Sequence, residues 1–204
     1  MKTHSRLVLI VTMLATFSLP ALALRVGTQA PDFTARNTRG QTIHLSQYRG
    51  KYVVLEWTNS GCPYTRKHYE TGNMQRLQRE WRAKGVVWLT ILSSAPGQQG
   101  YMTASQENAY IAKMHADPTE AILDPTGRIG HLYGAKTTPD MYVINPEGKL
   151  IYEGAIDNRP TTNHADVKGA DNYVSDALRE AMAGQTVKVD YTRPYGCSVK
   201  YANE

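Results

Sequence analysis

Cys62 has the clearest chemical context of any residue in this chain. It follows Val53-Val54-Leu55-Glu56-Trp57, a β-branched, aliphatic and aromatic run that predicts a buried strand. Asn59-Ser60-Gly61 then predicts a tight turn. Pro63 suits the first position of a helix, where an amide N–H has no intrahelical partner. The cysteine therefore falls at a helix N-terminus, where unpaired amides and the helix dipole favour an anion. A thiol placed there tends to a lowered pKa and a nucleophilic thiolate. The competing reading is a small buried apolar residue.

The second cysteine, Cys197, lies in Thr192-Arg193-Pro194-Tyr195-Gly196-Cys197-Ser198, a stretch with turn residues and no clear helix or strand pattern. On a mobile tail it could reach Cys62 and resolve a sulfenic acid or a mixed disulfide. Alternatively it could fasten the tail through a static bond. The loop of about 135 residues would then stabilise by roughly 4–5 kcal/mol on the chain-entropy model.

Glu56 interrupts an otherwise apolar strand. Either it is buried, with a raised pKa that fits it for proton transfer with a thiol, or it faces outward and pairs with a base. Arg66 lies one helical turn after Cys62 on the same face, where it could stabilise a thiolate or polarise a peroxide oxygen. Lys67 and His68 follow it. A solvated basic face is the alternative for all three, and Lys136 and Arg128 are weaker electrostatic candidates. Cys62, Cys197 and one of His68, His131 or His164 could also form a soft Cu(I) site, although no paired C-x-x-x-C ligand spacing is present.

The first 23 residues are expected to be a secretory signal peptide. Lys2 and Arg6 precede a largely apolar segment, and Ala21-Leu22-Ala23 has a small-x-small cleavage pattern. Cleavage near Ala23 implies a periplasmic or secreted protein, and residues 24–204 would then carry a net charge of about +3. No Lys/Arg-rich block with interleaved aromatics supports nucleic-acid binding. After the leader no apolar stretch approaches the roughly 18 residues needed to span a bilayer. The two cysteines of the remainder suit an oxidising compartment, where an even pair can form a disulfide.

Around these residues the chain alternates strand and helix signals. Two short extended pieces flank Asn37-Thr38-Arg39-Gly40 and predict a hairpin. Strand 52–58 leads into one long amphipathic helix over 63–84, closed by Gly85. Strand 86–92 is apolar throughout, as expected of a strand covered on both faces. The loop 93–103 is long enough to suggest function. A helix capped by Ser105 runs to about residue 115, followed by a short strand at 121–123 and a short helix at 128–133. Asn145-Pro146-Glu147-Gly148 joins strands 141–144 and 150–153. A last helix spans 171–183. This order predicts an α/β fold, a mixed central sheet with helices on both faces and an N-terminal β-hairpin. The expected divisions are the leader 1–23, one domain 24–184 and a tail 185–204.

The order resembles the thioredoxin fold, and its N-terminal decoration resembles the peroxiredoxin-related AhpC/TSA or redoxin branch. Gly27-Thr28-Gln29-Ala30-Pro31-Asp32-Phe33 is similar to the G-x-x-A-P-D-F opening of that branch. Trp57-Thr58-Asn59-Ser60-Gly61-Cys62-Pro63 is similar to its active-site loop, and Thr138-Pro139 before Met141-Tyr142-Val143-Ile144 to its cis-proline and following strand. The resemblance implies a buried acid at Glu56 beneath the active cysteine. It also implies a cis peptide before Pro139 that turns a backbone amide toward substrate, and substrate contacts at Asn59, Gly61, Thr138 and Pro139.

Two departures stand out. Thr65 replaces the second cysteine of C-x-x-C, and Asn59 and Leu55 replace the threonine and proline of the P-x-x-x-T-x-x-C peroxidase signature. A single-active-site-cysteine thiol oxidoreductase is therefore expected. Cys62 would attack a peroxide or disulfide, Glu56 would manage protons and Arg66 would assist. Cys197 would act as the possible resolving thiol, and an external thiol reductant would regenerate the pair. No organic cofactor or metal is required. A copper-binding chaperone, or a non-catalytic module whose cysteines only staple the tail, are the alternatives.

Overall fold

The computed structural model describes residues 24–202, so the expected leader lies outside the described residues. Seven strands form one sheet in the order β2-β1-β5-β4-β3-β7-β8. The N-terminal hairpin pairs β1 (Thr34–Asn37) with β2 (Thr42–His44), and Thr34 faces His44. Asn37 builds its turn: Oδ1 accepts from the amides of Arg39 at 3.0 Å and Gln41 at 2.9 Å.

The centre is β3 (Val53–Trp57) between β4 (Val87–Leu92), which runs parallel to it, and β7 (Asp140–Ile144), which runs antiparallel. Strand β5 (Glu120–Leu123) continues the parallel part, and β8 (Leu150–Gly154) the antiparallel part. All residues of β3, β4 and β7 are buried, as expected of strands covered on both faces. Alternation along β3 sends Val53, Leu55 and Trp57 into one apolar layer. Val54 goes to the other layer, with Trp88, Met141 and Val143. Glu56 shares the side of Val54, so its burial follows from register alone.

Three features differ from the sequence expectation. The long helix is two: α1 (Pro63–Glu70) and α2 (Asn73–Ala83), broken at Thr71 and Gly72. The Thr71 hydroxyl donates back to the Lys67 carbonyl at 2.7 Å, and Gly72 takes a left-handed φ of 76°, open to glycine without strain. Helix α3 (Ala104–Met114) is capped by Thr103, whose hydroxyl accepts from the Gln106 amide, not by Ser105. After α4 (Arg128–Tyr133) and the two-residue strand β6 (Thr137–Thr138), helix α5 (Tyr173–Met182) completes the second layer.

The tail is the third. It is ordered across the domain, with Val199 and Tyr201 buried in the first apolar layer. Its strand β9 (Cys197–Ser198) pairs antiparallel with β6, placing Cys197 opposite Thr138. Among the described residues no helix is long and apolar enough to cross a membrane.

Candidate active site

Cys62 caps α1, with extended backbone (φ −81°, ψ 123°) and Pro63 at the first helical position. The Arg66 amide donates to its carbonyl at 2.9 Å, and its own amide donates to Asn59 O at 3.0 Å. The side chain is fully buried. Its thiol donates to the Thr138 carbonyl at 3.0 Å. The peptide that follows, Thr138-Pro139, is cis. Cys197, half-buried, is paired with Thr138, whose carbonyl accepts the Cys62 thiol, and so lies close enough for the two sulfurs to influence each other. Both cysteines are free thiols.

The pair is electrostatically unequal. Burial pushes the Cys62 thiol up. Hydrogen bonds from the Cys197 thiol and then the Thr65 amide favour the thiolate, and the net position is below the ordinary cysteine value. Burial and then the neighbouring Cys62 push Cys197 up to about 11. Of the two, Cys62 is the sulfur biased toward the thiolate, and Cys197 the one biased toward keeping its proton.

The turn before Cys62 is braced from below. Asn59, fully buried, accepts from the Gly61 amide at 2.8 Å and donates to the Gln99 side chain at 2.9 Å and the Gln99 carbonyl at 3.2 Å. A Cβ at Gly100, where φ is +86°, would overlap the Asn59 amide. The same loop meets the tail, since the Ala95 amide donates to the Lys200 carbonyl at 2.8 Å. Thus the long loop 93–103 joins the Cys62 turn to the Cys197 segment. Gln99 was not singled out from sequence. Its only signal was its place beside Gly100 in that loop.

Glu56 is fully buried. It accepts from Trp88 Nε1 at 2.7 Å, the Tyr69 hydroxyl at 2.8 Å and Gln78 Nε2 at 3.3 Å. Burial raises its pKa to about 7 against these three donors. Glu107 on α3, also buried, rises to about 7 through burial and then the charge of Glu56. None of the hydrogen bonds of Glu56 reaches a cysteine. The structure therefore places the acid in a pocket of its own rather than on the sulfur.

Arg66 is also turned away. Its Nε donates to Glu70 at 2.7 Å, with half of the side chain exposed. Arg128 donates to the Thr34 carbonyl at 2.5 Å. Lys136 lines a cleft with Asp140 and Glu153. Lys67 and His68 form no solvated basic face: both side chains are completely buried. His131 stacks on Tyr201 with ring centroids 4.0 Å apart, and His164 pairs with Glu70 at 3.3 Å. Among the described residues no three His, Cys, Asp or Glu side chains form a group that could hold a metal.

A parallel-centred sheet with a cysteine at the head of its first long-strand helix, facing a cis-proline segment, defines a thioredoxin-like fold with a thiol site. Residues 26–153 match the AhpC/TSA family, and the chain belongs to it. It is 25% identical over 127 residues to the thiol-disulfide oxidoreductase ResA of Bacillus subtilis (strain 168), a match covering 61% of this chain and 64% of that one. It is 25% identical over 154 residues to the thioredoxin-like protein YneN of the same strain, covering 74% of this chain and 85% of that one. Among solved structures, a conserved protein of Geobacillus kaustophilus superposes with a TM-score of 0.77 at 22% identity, covering 89% of this chain and 94% of that one. A putative thiol:disulfide interchange protein DsbE of Chlorobium tepidum superposes with a TM-score of 0.52 at 25% identity, covering 64% and 84%.

Proposed function

We propose that this protein is an exported thiol-disulfide oxidoreductase in which Cys62 is the nucleophile and Cys197 resolves the mixed disulfide. The observation that carries this is the proximity of the two thiols. One is biased toward thiolate and the other toward keeping its proton, and both meet Thr138: its carbonyl accepts from Cys62 and its backbone pairs with Cys197.

In the forward direction the Cys62 thiolate attacks one sulfur of a substrate disulfide. A Cys62–substrate bond forms, and the other substrate sulfur leaves as a thiolate that takes a proton. Cys197 gives up its proton and attacks Cys62 Sγ. The Cys62–Cys197 bond forms and the second substrate thiol is released. Two electrons leave the protein and the substrate disulfide becomes two thiols. An external thiol reductant then returns the pair to the dithiol state.

Helix α1 contributes the unpaired amides at its start, including that of Thr65. The Asn59–Gln99 brace keeps the turn at Gly61 in place, and the segment Thr138-Pro139 forms the wall along which a substrate backbone would lie. Glu56 stores a proton near neutrality without touching either sulfur. A disulfide fits this site better than a peroxide. The position where the peroxidase signature has threonine holds Asn59, whose amide is committed to Gly61 and Gln99, and Arg66 is committed to Glu70. The match to ResA, a protein named as a thiol-disulfide oxidoreductase, supports the same choice.

The test treats reduced wild type, Cys62→Ser and Cys197→Ser with oxidised glutathione and with hydrogen peroxide, separating intermediates by mass spectrometry after acid quench. The expected result is that Cys197→Ser accumulates glutathione on Cys62, wild type passes through that species, and Cys62→Ser reacts with neither. Peroxide should consume wild-type thiols more slowly than the disulfide at equal concentration. If Cys62→Ser loses thiol as fast as wild type, Cys62 is not the nucleophile.

A further inference from the structure

Behind the thiol pair lies a buried polar cluster that the redox step does not use. Two residues before Cys197, the Tyr195 hydroxyl donates to Asp157 Oδ1 at 2.5 Å. The Tyr195 hydroxyl oxygen also lies 3.4 Å from Lys67 Nζ and 3.4 Å from His68 Nε2. The Tyr195 ring meets Tyr64 edge-on at 5.8 Å, and Lys67 Nζ sits 5.2 Å from the ring centroid.

Lys67, His68 and Asp157 are each at most 2% exposed. Their remaining contacts hold them in place. Lys67 Nζ donates to the Arg159 carbonyl at 2.7 Å, and Asp157 accepts from the Arg159 amide at 2.9 Å. The Asn73 amide lies 2.8 Å from His68 Nδ1; with Asn73 donating, Nε2–H is left to face the Tyr195 and Asp157 oxygens.

Burying an ammonium and a carboxylate costs more than apolar packing would, and such groups are best understood where they impose one arrangement over others. Here the arrangement concerns the tail. Only Gly196 separates Tyr195 from Cys197, and a Cβ at that position would overlap the Thr138 carbonyl, the group that accepts the Cys62 thiol. The chain thus runs with no slack from the phenol to Cys197. With the tail seated, Cys62 is fully buried, and Gly196 and Cys197 lie against Thr138, whose carbonyl accepts its thiol, so lifting this segment is the route to Cys62 that the inference invokes.

We propose that Tyr195 is a positioning residue, a plug whose hydroxyl seats in the Lys67–His68–Asp157 socket and so sets Cys197 against Cys62 while shielding Cys62 from bulk thiols and disulfides. This inference rests on Cys62 and Cys197 being the redox pair. It assigns to the α1 residues Lys67 and His68 a task in tail seating instead of thiolate stabilisation.

The test uses the full chain carrying both cysteines, with Tyr195→Phe, Asp157→Asn and, as a control, Tyr52→Phe. The control loses a hydroxyl that donates to the Ala181 carbonyl at 3.0 Å, on α5 and outside the Lys67–His68–Asp157 cluster. Two quantities are measured: the equilibrium between dithiol and Cys62–Cys197 disulfide in glutathione buffers, and the rate at which iodoacetamide labels Cys62, by peptide mapping. Because a hydrogen bond to a charged group is lost and the effective concentration of Cys197 falls with it, Tyr195→Phe should lower the closure equilibrium by about tenfold. It should also raise Cys62 labelling several-fold. Asp157→Asn should shift both in the same directions. Tyr52→Phe should leave both unchanged even if its melting temperature falls.

The two failures are distinguishable. If wild type forms no Cys62–Cys197 disulfide, the redox pair itself is wrong. If wild type forms it and Tyr195→Phe and Asp157→Asn match wild type within twofold on both measures, only the plug is overturned. If Tyr52→Phe reproduces the Tyr195→Phe effects, they reflect loss of stability and the plug is likewise overturned.

Discussion

At the scale of single residues, the chemistry turns on which groups face the Cys62 sulfur. Proline at the first helical position and a cysteine at the N-cap were readable in Cys62-Pro63, because both follow from local backbone rules. What local rules did not supply was the identity of the neighbours. Arg66 shares a helical face with Cys62 by spacing, yet Glu70, one turn further on, pairs with it. Of the two readings its strand left open, Glu56 takes the buried one, but Tyr69, Gln78 and Trp88 close around it and keep it from the sulfur. The leading hydrogen bond that favours the Cys62 thiolate comes from Cys197. Removing it in Cys197→Ala should therefore move the pH profile of Cys62 alkylation to higher pH. An unchanged profile would show that the helix terminus alone sets the thiolate.

At the scale of elements, the hairpin, the three buried strands and the short helices were legible, since each is set by a period or a turn signal within its own few residues. Two elements were not. The break between α1 and α2 lies in a stretch whose charges and apolar residues alternate as they would along one helix. Only the left-handed Gly72 and the Thr71 back-bond show that the axis turns there. Strand β9 is two residues long and owes its existence to β6, a partner about 60 positions earlier, so no local pattern announces it.

That pairing gives Gly196 its task. At φ +150° and against the Thr138 carbonyl, it accepts no side chain without moving β9 off β6. Gly196→Ala should still form the mixed disulfide on Cys62, but closure by Cys197 should slow by about tenfold or more, because the sulfur geometry a disulfide demands is lost. Quench-flow mass spectrometry separates the two steps. Closure at the wild-type rate would mean the tail approaches from another path.

At the scale of the whole molecule, the C-terminal segment belongs to the domain it crosses. Val199 and Tyr201 fill one apolar layer and Tyr195 meets the buried cluster next to the other, so the tail, for which mobile and fastened readings were both open, packs as part of the core. Burial of titratable groups also shapes stability against pH. Glu56 has a folded pKa of about 7 against 4.5 for the free side chain, so between those values the folded state holds a proton that the unfolded state has lost. Stability from this site is highest below about pH 4.5 and declines as pH rises toward 7, by roughly 3 kcal/mol in total. Glu56→Gln should remove that slope. In urea titrations across pH 4.5–7.5 the variant should gain on wild type steadily as pH rises. Parallel curves would mean Glu56 is ionised throughout.

The central claim is that two distant cysteines form one redox site, and thiol accounting on the wild-type chain tests it most directly. Reduced protein is given one equivalent of oxidised glutathione, and the products are counted and the bonds mapped by mass spectrometry. Both protein thiols should be lost, with a Cys62–Cys197 bond and two molecules of reduced glutathione formed for each chain oxidised. Glutathione retained on Cys62 beside a free Cys197 would contradict it.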